Sequence, residues 1–313
     1  MTNRNSTLPI RFSLVPRPAW LPGSVWPFQS FGVEAADGSV LAVAEAGKGP
    51  VLLFVHVGAW SFIWRDLIQR LAPDFRCVFF DAPGNGQTRD ASSGTVAMEG
   101  AGHAVAAVVA ALDLQDVTVV AHDLGGPAAL AAFAGMPERV RGIVAMNSFG
   151  WRPSGRAFRG MLALMGSRVM GEFNVLTGLI PWISSTSFGV GRHMDETSRS
   201  VFRAGIGRRG IRAFHNYMRD VRHCDGLYGR VACALAGPLS EVPLLTVFGE
   251  YNDPFGFQKR WKELFPDARQ VVVAKGNHFP MCDAPDFVAH EIRDWYQARV
   301  ALTRKASLQE HGR

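Results

Sequence analysis

Short apolar runs closed by turn residues set the pattern of this chain. They occupy residues 51–55, 76–80, 117–121, 141–146, 243–248 and 270–273. A continuous apolar run bounded by turn residues predicts a strand buried on both faces of a parallel sheet. Helical patterns lie between them, at 60–71, 97–112, 127–136 and 285–302. The last carries a plain apolar face of Phe287, Val288, Ile292, Trp295 and Tyr296. Strands alternating with helices predict an α/β fold, a mostly parallel central sheet flanked by helices. Two earlier segments, 29–36 and 39–46, meet at Asp37-Gly38, a hairpin signal.

The pattern changes at both ends and in the middle. Residues 1–29 are rich in proline, with Trp20 and Trp26, and predict an extended arm held by its aromatics. After Asn147 the alternation stops. Residues 150–225 are rich in Arg, Gly, Met and Phe, with helical pieces at 157–170 and 211–222. This segment reads as a helical cap inserted over the sheet. The expected organisation is therefore 1–149 as the first part of the core, 150–225 as cap, and 226–313 as the second part. A polar tail, 303–313, closes the chain.

Composition narrows the class. The chain has 313 residues, 48% hydrophobic and 19% charged, which suits a globular enzyme and excludes disorder. Its net charge of +6 has no single basic stripe and no recognisable nucleic-acid module, so no nucleic-acid partner is expected. Cys77, Cys224, Cys233 and Cys282 are scattered without CxxC spacing and read as reduced, buried thiols. Residues 1–9 lack the apolar core of a signal peptide, and no run reaches the roughly 20 residues that span a bilayer. A cytoplasmic protein without a membrane partner is the expectation. Oligomeric state is not legible.

The chemistry gathers at strand ends, where open α/β sheets place their sites. Val119-Val120-Ala121-His122-Asp123-Leu124-Gly125-Gly126 reads as strand, sharp turn and helix. Small residues around an exposed turn residue are the pattern of a nucleophile elbow, here with Asp123 at the nucleophile position. Asp123 could instead cap the following helix, since aspartate is a favoured N-cap. As a nucleophile, a carboxylate attacks an sp3 carbon and leaves an ester that water must cleave. His278, in Lys275-Gly276-Asn277-His278-Phe279, follows the last strand and is placed to activate that water. Asp253, past the preceding strand, is the preferred carboxylate to orient the imidazole, with Glu250 as competitor. The oxyanion donors would be the amide of Leu124 and that of Val57 or Gly58. No HxxxH or HxH spacing suggests a metal, and no cofactor is implied.

With these residues in view, the chain resembles the haloalkane dehalogenases, hydrolases with an aspartate nucleophile, and the related epoxide hydrolases. The resemblance runs through Arg17-Pro18-Ala19-Trp20-Leu21-Pro22, Trp60-Ser61-Phe62-Ile63-Trp64-Arg65, Asp81-Ala82-Pro83-Gly84-Asn85-Gly86, His122-Asp123-Leu124-Gly125-Gly126 and His278-Phe279. It implies an α/β-hydrolase fold, a small apolar substrate, and water as co-substrate. Two departures stand out. The family's His-Gly-x-Pro is His56-Val57-Gly58-Ala59, and the tryptophan that follows the nucleophile is Leu124. A departing halide needs N–H donors in place of water, so His56, Trp60, Trp64, Trp151 and Trp182 are candidates for binding substrate or leaving group. An epoxide hydrolase would instead need cap tyrosines, Tyr217 and Tyr228, beside Asp123. The third reading is a lapsed fold that only binds.

Overall fold

The computed structural model describes residues 12–91 and 96–301. The predicted tail at 303–313 and the start of the arm lie outside them. Eight strands form one sheet: β1 (Phe31–Glu34), β2 (Val40–Ala46), β3 (Val51–His56), β4 (Arg76–Phe80), β5 (Val117–His122), β6 (Val140–Met146), β7 (Leu244–Gly249) and β8 (Arg269–Val273). Their order is β1-β2-β4-β3-β5-β6-β7-β8. The first two pairings, β1 with β2 and β2 with β4, are antiparallel, and every later one is parallel. The α/β expectation holds, and each predicted strand is present.

The reason is burial. Strand β5 is buried at every position, as is β7. Helices on both faces cover the sheet with two apolar layers. The hairpin forms at Asp37-Gly38, where Gly38 takes φ +83° and the Ser39 amide donates to Asp37 at 2.9 Å. Trp26 is buried against Phe62 and Phe79, and Arg17 donates to the carbonyls of Trp26 and Phe28. All four thiols are free, but Cys233 is exposed, not buried.

Between β6 and β7 the chain forms helices at Arg156–Met165, Arg168–Thr177, Leu179–Ser184 and Glu196–Asp220. The last breaks its helical backbone at Gly207, where φ is +52°. A further helix, Asp225–Ala236, packs on the helix that follows β5. Sequence reading does not predict it, although Gly237-Pro238 directly after it is a helix stop signal.

Candidate active site

The carboxyl ends of β3, β5, β7 and β8 converge under the cap helices. Strand β5 ends at His122, and the helix Gly125–Phe133 begins three residues later. So sharp a corner forces Asp123 to φ +50°, a left-handed backbone costly for a residue with a side chain. The corner also needs its glycines. A Cβ on Gly125 would meet the Val55 carbonyl at 2.3 Å, and one on Gly126 the Ser148 hydroxyl at 2.1 Å. The helix start has no side-chain cap, which removes the capping reading of Asp123. Its carboxylate instead faces His278, with Nε2 3.6 Å from Oδ2.

These two side chains sit in a cavity of about 310 Å³ beneath the cap. Its walls are mainly apolar, including Phe149, Phe158, Leu162, Ile211, Phe214 and Met218. Leu124, Val57 and Gly58 line it too, and none of their three amides is spent on a turn or loop bond. They remain able to hold an oxyanion formed at Asp123.

The loop bearing His278 is anchored from three sides. His122 Nε2 lies 2.7 Å from the His278 carbonyl, and Asn147 donates to the carbonyls of Asn277 and His278 at 2.9 and 2.7 Å. The Asn277 amide donates to Asp283 at 2.6 Å. A carbonyl only accepts, so His122 carries its proton on Nε2 and presents a lone pair at Nδ1. His56 Nδ1, 3.0 Å away, must then be the donor. Burial, with His278 nearby, drives His56 down to about 3 and His122 well below the ordinary histidine range. Both stay neutral, and the tautomers are fixed along the chain of contacts. His56 is left with an unprotonated, buried Nε2 that has no partner. It lines the cavity, yet it cannot donate to a leaving group, and that role for His56 is corrected.

Asp253 also departs from expectation. Its two carboxylate oxygens accept from the amides of Phe257 and Gln258 at 2.6 and 3.0 Å, capping the helix Phe257–Leu264. A carboxylate beside free helix N–H groups satisfies them in preference to reaching the imidazole. Glu250 accepts from the Lys275 amide at 2.6 Å and is likewise turned away. The group at His278 Nδ1 is the carboxamide of Asn252, 3.2 Å away. The atom placed there is the amide nitrogen Nδ2, which donates to Nδ1 and leaves the ring proton on Nε2; with the amide turned over, its oxygen accepts from Nδ1–H and Nε2 keeps the lone pair a base needs. Reading along the sequence favoured the acid of Asn252-Asp253. The helix beginning four residues later is the signal that Asp253 had another use.

The aromatic candidates are placed elsewhere. Trp60 is buried and donates to the Phe202 carbonyl at 3.0 Å. Trp64 packs on Phe54, and Trp151 on Trp261 beneath the Arg260 guanidinium. Tyr217 donates to the Pro83 carbonyl at 2.8 Å, and Tyr228 to that of Val221 at 3.1 Å. None of these five lines the cavity. Trp182 is 58% exposed on the far side of the cap. Trp60, Tyr217 and Tyr228 satisfy their polar atoms locally, as buried polar groups must.

A family model for the α/β-hydrolase fold matches residues 50–172. The chain has the α/β-hydrolase fold. Among curated proteins this hydrolase is similar to haloalkane dehalogenase 2 of Mycobacterium bovis, 27% identical over 86% of this chain and 95% of that one. It is also similar to cis-3-alkyl-4-alkyloxetan-2-one decarboxylase of Shewanella oneidensis, 23% identical over 87% of this chain and 89% of that one. Among solved structures it superposes on a loop variant of the Bradyrhizobium elkanii haloalkane dehalogenase DbeA. That match has TM-score 0.68 and 21% identity, covering 88% of this chain and 97% of the other. The hydrolase is thus related to haloalkane dehalogenases.

Proposed function

We propose that the protein hydrolyses a small apolar substrate through an ester on Asp123. The observation that carries this reading is the pairing of Asp123 and His278 at 3.6 Å in a cavity lined mainly by apolar side chains. An Asp123 oxygen attacks an alkyl carbon, the leaving group departs with its bonding electrons, and a C–O bond joins substrate to enzyme. His278 Nε2 then takes a proton from water, whose oxygen adds to the Asp123 carbonyl carbon. The resulting oxyanion rests on the amides of Leu124 and of Val57 or Gly58, an arrangement worth roughly 10²- to 10³-fold per donor in other hydrolases. Collapse breaks the bond between that carbon and the substrate oxygen. The imidazolium returns its proton, the alcohol leaves, and Asp123 retains one solvent oxygen.

The relatives make a carbon–halogen bond the first choice of scissile bond. The wall chemistry favours a second. Among the described residues no tryptophan or tyrosine lines the cavity. That weakens the epoxide reading most, since an epoxide oxygen leaves as a poor alkoxide. A strained lactone, the substrate type in the name of the Shewanella relative, expels a delocalised carboxylate that needs less help. A lapsed binding fold would have no reason to keep Asp123 in a left-handed backbone facing an imidazole.

The test is one turnover with excess enzyme in heavy-oxygen water. The first alcohol should carry light oxygen from Asp123, and solvent oxygen in that first product would refute the ester. His278→Phe should stall as an adduct on Asp123 in the intact mass. Halide release from bromoalkanes against β-hydroxy acid formation from a β-lactone separates the two substrates.

A further inference from the structure

The cap turns an apolar face outward as well as inward. Val169, Phe173, Leu176, Leu179, Trp182 and Ile183 follow helical spacing across the helices Arg168–Thr177 and Leu179–Ser184. Val169 and Leu176 are each 82% exposed, and Phe188 beside them is 76% exposed. Soluble monomers rarely leave so many large apolar side chains together in water. The opposite side of the same helices supplies Asn174, Ile180, Pro181 and Ser184 to the cavity wall. One layer of helix therefore separates the outer face from the site.

Charge selects the occupant. Arg156, Arg159 and Arg168 are exposed on the same stretch and make no ion pair, and Glu172 is the only acidic residue between 150 and 190. A second copy docked through this face would set like guanidiniums against each other in a two-fold pair. A surface that is apolar below and anionic above meets both features at once. Helices lying in a bilayer interface have this make-up, with Trp and aliphatic residues on one face and Arg beside it. We propose that the cap docks peripherally on an anionic lipid surface. No helix among the described residues is long and apolar enough to cross a membrane, and peripheral docking needs none. The expectation of no membrane partner rested only on the lack of a spanning run. The docked cap would place the cavity beside the phase into which apolar substrates partition. This inference stands whether or not Asp123 forms an ester.

The whole protein is mixed with vesicles of phosphatidylcholine, alone or with phosphatidylglycerol. Co-sedimentation should be roughly 10²-fold stronger on the anionic vesicles and weaken with salt. Trp182 is the exposed tryptophan of the chain, so its emission should move to the blue and escape acrylamide on binding. Trp182→Phe should lose that optical change yet still co-sediment. Val169→Glu with Leu176→Glu should abolish co-sedimentation without lowering the thermal midpoint. Co-sedimentation equal on both vesicle types, or absent, overturns the proposal. So does a concentration-dependent dimer that the double glutamate variant dissolves, which would assign the face to a second copy.

Discussion

The sheet and the cap are made from the same kinds of residue and use them in opposite ways. Under the cavity, Trp261 is buried to 1% exposure, donates to the Ser148 carbonyl at 2.8 Å, and packs on Trp151 and Phe265. Over the cavity, Trp182 stands 58% exposed with nothing across from it. The sheet side hides most of its apolar surface, gives many of its polar atoms internal partners, and holds the corner at Asp123 in place. The cap side lines the cavity with one face and offers the other to the surroundings. The position of the chemistry is thus a property of the sheet, and access to it a property of the cap.

The largest expected difference is in stability. Trp261→Ala opens a cavity and orphans a carbonyl partner, and should cost about 3–5 kcal/mol. Trp182→Ala removes no packed neighbour and should change stability by no more than about 0.5 kcal/mol. Denaturant melts of the two variants check this. A large loss for Trp182→Ala would mean that the cap face is covered in the free protein, and the contrast between the regions would fail.

A smaller effect comes from the buried histidines under the corner. His56 is held to about 3 and His122 well below its ordinary range, chiefly by burial, whereas the unfolded chain titrates near 6.5. Both native groups are therefore neutral where the unfolded groups bind protons. The stability tied to their neutrality is intact above pH 6.5 and falls as pH drops from 6.5 toward 3. Each contributes a slope of about 1.4 kcal/mol per pH unit in that window. Burial raises Asp81 and Asp283, which acts in the opposite sense and offsets part of the loss at the acid end. His56→Gln keeps a donor for His122 and should lower the slope by about 1.4 kcal/mol per unit between pH 6 and 4.5. An unchanged slope would show that His56 is charged in the native state.

The contrast also explains what could be read in advance. Strands such as β5 and β7 are apolar at every position because both faces are covered, so their place and the corner after β5 follow from local pattern alone. Asp123 and His278 fall out of that geometry as strand-end residues. The donors do not. Whether Trp60 points an N–H into the cavity or at the Phe202 carbonyl is decided by a contact 142 residues away in sequence. Tyr217 reaches the Pro83 carbonyl over a separation of 134. That Asn252 stands at the imidazole in place of Asp253 is a matter of one residue of register against a helix start that competes for the carboxylate. The cap's outer face was visible as Val169, Phe173 and Leu176 at helical spacing, but the spacing alone does not say which way a helix is turned.

Asn252 offers the finest test of the rigid side. A carboxamide can orient the imidazole but carries no charge to stabilise imidazolium, in contrast to the carboxylate of a Ser-His-Asp triad. In the proposed reaction the attack of Asp123 on carbon does not use His278, whereas release of the ester does. Asn252→Ala should therefore leave the first step unchanged and slow release by roughly 10- to 100-fold, the scale set by a misplaced catalytic group. The ester would accumulate in the steady state and appear in the intact mass. Asn252→Asp supplies a charge at the same 3.2 Å contact, favours imidazolium, and should move the acid limb of the release step to higher pH. If both variants release the ester at the parent rate with the parent pH profile, His278 is positioned by its backbone anchors at His122 and Asn147 alone, and the carboxamide is a bystander.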